Sequence, residues 1–133
     1  ADLILLSAPL SEEELTAWGR FDWMNDGMPL YTSYMGYCYE HTQNHLTQYL
    51  LDRYENVRAL ENYEKWTSRV IEAGVPEQLK GYMFYNLACF YATHSHLEQA
   101  WPVLQRALNL YPGLKEFALI DPDLFALRVN FSQ

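Results

Sequence analysis

The chain has 133 residues, of which 50% are hydrophobic and 16% aromatic, and nine basic against seventeen acidic side chains give a net charge of -8. This length predicts one compact domain, and the apolar content excludes a largely disordered chain. The acidic balance disfavours nucleic acid and anionic membranes as partners, because both carry negative charge. The opening residues carry an acid where a secretory signal has a positive charge, and no apolar run is of bilayer length, so we expect a cytoplasmic protein.

Helical spacing recurs along almost the whole chain, which predicts an all-α fold: an antiparallel helical bundle with a helical hairpin in its C-terminal half. A short first helix is expected over residues 2–8. Ser11 and Glu14 have the spacing of a capping box and open a second helix, which Gly19 ends. The residues 21–27 that follow are predicted to form a loop with two large aromatic side chains.

A long helix is predicted from Pro29 to about Tyr54. Tyrosines occur all around this helix, so we expect contacts on several sides, from its own domain or from a second subunit in a homodimer. Both cysteines, Cys38 and Cys89, are expected to be buried and reduced. The core stripe of the long helix is predicted to contain Leu30, Tyr34, Cys38, His41, His45 and Tyr49.

The C-terminal half is predicted to contain five further helices, because apolar residues recur at helical spacing between glycine, proline and turn signals. They are 57–73, 76–93, a helix from a turn at 94–96 to about 110, 114–119, and 122–128 with Asp121 as its cap.

The pair of helices in 82–112 has small residues, Ala88 and Ala100, where the two axes must approach each other. With the apolar residues that face each other across the pair, the segment resembles a tetratricopeptide repeat. The resemblance implies either a surface that binds a protein or peptide partner or a hairpin that serves only as a scaffold. Residues 118–128 resemble the segment that caps such repeats. The signature positions fall on Phe84, Leu87, Ala88, Tyr91, Ala100, Leu104, Ala107 and Pro112.

Three residues of the hairpin are candidate contacts for such a partner: Tyr82, Tyr85 and Asn86. The prediction depends on aromatic side chains being exposed beside the repeat face. Pro102 is expected to kink the second helix of the hairpin unless that helix begins only at about Gln99.

His41 and His45 are four residues apart, so both imidazoles lie on one face of the predicted helix. Two histidines placed in this way can share a divalent ion, although a catalytic ion needs a third ligand, for which His94 and His96 are alternatives. The other interpretation is a pair of buried or half-buried histidines that form hydrogen bonds among tyrosines.

The stretch from Leu10 to Leu50 looks like the closing part of a DinB/YfiT-like four-helix bundle, in which a short helix and an aromatic loop precede a last helix with a His-x-x-x-His pair. The resemblance implies that His41 and His45 ligate a divalent ion, commonly nickel or zinc. The remaining histidine of that family comes from an earlier helix, which would lie upstream of Ala1. Members of the family include metal-dependent transferases that act with low-molecular-weight thiols.

The sequence therefore predicts a single helical domain, with DinB-like helices in 1–54 and tetratricopeptide-like helices in 57–133. The function predicted first is a helical scaffold or protein-interaction module, as a fragment or subunit of a larger assembly. The alternative is a divalent-metal protein of the thiol-dependent transferase type that uses His41 and His45. No residue is assigned a catalytic role.

Overall fold

The computed structural model describes residues 8–19, 22 and 29–132. All regular elements in these ranges are helices, which confirms the all-α class, and the ranges contain no β-strand. None of the described helices is both long enough and apolar enough to cross a membrane. The helix predicted over 2–8 and, apart from Asp22, the aromatic loop lie outside the described residues.

The chain divides into two compact units, Ala1–Arg53 and Tyr54–Gln133. The junction of the two halves predicted from the sequence lies between 54 and 57. In the first unit the described helices are α1 (Glu12–Thr16), α2 (Leu30–Ser33), a π-helical segment (Tyr34–Glu40) and α3 (His41–Asp52). In the second they are α4 (Asn56–Glu72), α5 (Glu77–Thr93), α6 (Leu97–Leu110), α7 (Leu114–Ile120) and a 3-10 helix (Pro122–Ser132).

The capping box predicted for α1 is confirmed. The Ser11 backbone N–H donates to Glu14 Oε2 at 2.9 Å, and the Glu14 N–H donates to Ser11 Oγ at 3.2 Å. Two backbone donors at the helix start are therefore satisfied reciprocally. The helix ends at Thr16, and Gly19 follows with a positive φ of 57°.

The long helix is continuous from Leu30 to Asp52, but its middle segment, Tyr34–Glu40, is π-helical. The N–H of His41 donates to the Gly36 carbonyl, five residues earlier. Because π-helical turns contain more residues than α-helical ones, a stripe drawn at constant 3.6-residue spacing does not stay on one face.

The predicted core stripe is wrong for this reason. Of its six members only Leu30 is buried and Tyr34 is half-buried, while α3 buries Thr47 and Leu50 instead. The expectation that Cys38 is a buried thiol is also wrong. The exposed members of the predicted stripe are Cys38, His41, His45 and Tyr49.

The core of the second unit surrounds α5, which contacts α4, α6 and the 3-10 helix. Trp66, Met83 and Leu104 are among its largest fully buried side chains. A side chain at Gly81 would not fit between α5 and the end of α6, because its Cβ would lie 2.7 Å from Tyr111 Cβ. The predicted facing residues of the hairpin are all buried: Phe84, Leu87, Ala88, Tyr91, Ala100, Leu104 and Ala107.

The turn between α5 and α6 is at the predicted place, with Ser95 at a positive φ of 67° and the His96 N–H donating to the Tyr91 carbonyl at 2.8 Å. Helix α6 begins at Leu97, so Pro102 lies inside it. Since proline has no N–H, the Glu98 carbonyl lacks the donor that a helix normally supplies from four residues later.

Candidate functional site

The imidazoles of His41 and His45 converge on the exposed side of the first turn of α3. Their Nε2 atoms are 3.0 Å apart, and their rings meet edge to face with centroids 4.4 Å apart at 85°. Both side chains are exposed. Regular α-helical geometry begins at His41, immediately after the π-helical segment. His45 therefore follows His41 by one helical turn. The structure thus brings the two predicted ligands together.

The distance between the two Nε2 atoms suits a shared divalent ion. With each nitrogen about 2.0–2.1 Å from the ion, a separation of 3.0 Å corresponds to a nitrogen–ion–nitrogen angle of about 95°. This value is near the right angle between neighbouring ligands of an octahedral ion. The same separation also suits a hydrogen bond between two neutral imidazoles, in which one Nε2 donates and the other accepts.

The further ligands that such an ion needs are not assembled around this pair within the described part of the chain. Among those residues, three potential ligand groups do lie close together elsewhere, on Cys89, Asp121 and Asp123. His94 and His96, the alternatives considered from the sequence, belong to the second unit, at the turn between α5 and α6.

Asp121 links two elements of the second unit through hydrogen bonds, and we call this arrangement the clamp. Tyr85 Oη donates to Asp121 Oδ2 at 2.6 Å, and the Asp123 N–H donates to Asp121 Oδ1 at 3.0 Å. Cys89 Sγ lies 3.9 Å from the same Oδ2. Both carboxylate oxygens therefore already accept hydrogen bonds. Asp121 joins α5 to the 3-10 helix and caps that helix, as the sequence predicts.

The thiol of Cys89 is a poor ligand and a poor nucleophile. Burial raises its pKa, and the negative charge of Asp121 raises it further. The thiolate is the form that binds metals and attacks electrophiles, so a raised pKa keeps Cys89 in its inert form. Cys89 is part-buried where full burial was expected, and its reduced state stays a prediction.

The three candidate contact residues of the hairpin lie in different environments. Tyr82 is 43% exposed, Asn86 is half-buried, and Tyr85 is only 2% exposed. The expected exposure is therefore wrong for Tyr85, whose hydroxyl donates to the buried carboxylate of Asp121. Tyr82 and Asn86, four residues apart, share one face of α5 and remain predicted contacts.

Large apolar side chains are exposed in the segment expected to cap the repeat and directly before it, which was not predicted from the sequence. Phe117, Ile120 and Phe125 are 55%, 72% and 70% exposed, and we call them the C-terminal apolar surface. Phe117 lies beside the buried Tyr85, with ring centroids 5.9 Å apart. The sequence of α7 does indicate such exposure, because its apolar residues lie on all sides of the helix. Only Ala118 of this helix is buried.

Comparisons of the chain with models of protein families, with curated proteins and with solved structures find no match. The tetratricopeptide-like and DinB/YfiT-like resemblances therefore stay predictions.

Proposed function

We propose that residues 54–133 form a non-catalytic protein-interaction module, and that a second copy of the chain is a partner it binds through the C-terminal apolar surface. The proposal rests on the exposure of Phe117, Ile120 and Phe125 within nine consecutive residues. Exposed apolar side chains concentrated in one segment are typical of interaction sites, because covering them removes apolar area from water.

A second copy suits this surface for two reasons. Identical surfaces pair around a two-fold axis, and the three side chains themselves carry no charge, with the Arg128 guanidinium 5.0 Å from the Phe125 ring centroid. The acid excess of the chain is also concentrated elsewhere: residues 1–53 have eight acids and two bases, a net charge of -6, whereas residues 54–133 have nine acids and seven bases, a net charge of -2. Two copies of the second unit therefore repel each other weakly.

The test is light scattering on the whole chain over a range of concentrations. We expect a mass approaching twice that of the monomer, and we expect a Phe117→Ser, Ile120→Ser double variant to remain monomeric at the same concentrations. Val57→Ser is the matched control, since Val57 is 70% exposed on α4, and it should leave the dimer intact. A monomer at every concentration, or a dimer that persists in the double variant, would overturn the self-association proposal.

A second candidate function, binding of a divalent ion by the first unit, is supported by the 3.0 Å separation of His41 and His45 Nε2. An ion held there would act as a Lewis acid and lower the pKa of a bound thiol or water, which is the chemistry that the DinB-like resemblance implies. The two imidazoles would hold the ion in their neutral form. This chain's described residues supply the pair and leave the other ligand positions to water or substrate.

Titration calorimetry with nickel or zinc chloride tests this candidate. We expect saturable binding that His41→Ala and His45→Ala each abolish, because a single imidazole loses the chelating partner. His94→Ala, in the second unit, is the control and should bind the ion unchanged. Equal binding by the wild type and His41→Ala, or no heat in either, would contradict a site at this pair.

A further inference from the structure

A groove of about 500 Å³ lies along α6 in the second unit. Trp101 and Phe131 meet edge to face there, with ring centroids 5.4 Å apart at 82°. Its volume is within the range of about 300–1,000 Å³ that is typical of ligand sites. The groove is also lined by Gln105 and Asn109 of α6, Lys115 of α7 and Asn130 of the 3-10 helix.

The charge of the groove favours an acidic group. Lys115 is exposed and carries the only charge among the described residues that line it. It lies toward the C-terminal end of α6, because its N–H donates to the Pro112 carbonyl at 3.1 Å. A carboxylate at this end would therefore meet a cation and no lining acid.

The polar side chains of the groove suit a peptide backbone. Each carboxamide, on Gln105, Asn109 and Asn130, offers both a donor and an acceptor, and a peptide group offers the complementary pair. Trp101, Gln105 and Asn109 are spaced one turn apart on α6. At 1.5 Å per residue they form a stripe about 12 Å long. In an extended peptide, side chains four residues apart point the same way and are about 13 Å apart.

We propose that this groove binds an extended peptide segment whose apolar side chain packs on Trp101 and Phe131, and whose acidic side chain, four residues along, pairs with Lys115. The aromatic pair supplies apolar contact at one end and the lysine supplies charge at the other. The groove is distinct from the C-terminal apolar surface, because Lys115 and Phe117 project about 160° apart around α7.

The experiment uses the whole ¹⁵N-labelled chain and two probes, acetyl-Leu-Ser-Gly-Ser-Glu-amide and the same peptide with Gln in place of Glu. The Trp101 indole N–H resonance, assigned by its loss in Trp101→Phe, reports binding. We expect the Glu peptide to shift this resonance saturably and to bind about two- to fivefold more tightly than the Gln peptide, as an exposed ion pair allows.

Lys115→Gln completes a double-mutant cycle. In this variant the two peptides should bind equally, because the partner of the carboxylate is gone. Lys65→Gln, an exposed lysine on α4, makes the same change in net charge and should keep the preference for Glu. No shift with either peptide, equal binding to the wild type, or a preference that survives in Lys115→Gln would overturn the proposal. None of these results depends on whether the chain dimerises through Phe117 and Ile120.

Discussion

Tyr85 and Asp121, 36 residues apart in sequence, are joined by a hydrogen bond of 2.6 Å from the buried phenol to the buried carboxylate. The bond fastens the 3-10 helix to α5. Removing the hydroxyl would leave this buried carboxylate oxygen with only the weak thiol donor of Cys89, which costs more than an ordinary hydrogen bond contributes.

We therefore expect Tyr85→Phe to lower the free energy of unfolding by about 2 kcal/mol, the size of a hydrogen bond to a charged group. Urea unfolding followed by circular dichroism measures the change. Tyr82→Phe is the matched control three residues earlier. Its side chain is 43% exposed, so we expect a change within about 0.5 kcal/mol. Equal stabilities of the two variants would contradict the clamp.

Alkaline pH should destabilise the second unit. Burial and hydrogen bonds raise the pKa of Tyr85, which bonds to Asp121, and of Tyr91, whose Oη donates to Glu64 at 2.6 Å. Above the ordinary tyrosine pKa of about 10, the unfolded chain loses these protons while the folded chain keeps them. The contribution of these two tyrosines to the free energy of unfolding is then complete below about pH 10 and is lost as the pH rises further.

Urea unfolding at a series of pH values from about 9 upward measures this loss. Tyr91→Phe removes one of the two groups, so its free energy of unfolding should fall less steeply with pH than that of the wild type. An identical slope in the variant would show that Tyr91 does not contribute.

Gly81→Ala should destabilise the hairpin. The new Cβ would lie 2.7 Å from Tyr111 Cβ and 3.1 Å from the Ala107 carbonyl oxygen, so α5 and the end of α6 would have to separate. We expect a loss of about 1–3 kcal/mol, as for other overpacked sites, measured as a lower urea midpoint. Gly36→Ala is the control, because its Cβ would meet nothing within 4 Å. A midpoint that Gly81→Ala leaves unchanged would argue against this close approach.

The two cysteines should differ in reactivity toward a thiol reagent near neutral pH. Cys38 is exposed, whereas Cys89 is part-buried beside Asp121 with a raised pKa. We expect the reaction rate of Cys89 to be at least about tenfold lower than that of Cys38, because the thiolate is the attacking form. Single variants Cys38→Ser and Cys89→Ser separate the two rates, and urea should make them similar. Equal rates in the folded chain would be inconsistent with the clamp around Asp121.

The helices of the second unit could be predicted from the sequence because their signals are local. Gly74, with a positive φ of 74°, and Pro76, the N-cap of α5, separate α4 from α5. Small residues at Ala88 and Ala100 mark the close crossing, and both are fully buried. Each of these signals acts within a few residues or repeats at helical spacing, so it can be recognised without knowing the fold.

The sequence by itself determined the all-α class, the hairpin and the one-turn spacing of His41 and His45. Only the tertiary structure decided which faces are buried. The π-helical segment ahead of His41 interrupts the 3.6-residue period. Tyr85 is buried where it bonds to the carboxylate of Asp121, 36 residues away in sequence. Burial depends on contacts between residues distant in sequence, and a helical period specifies a face but not its neighbour.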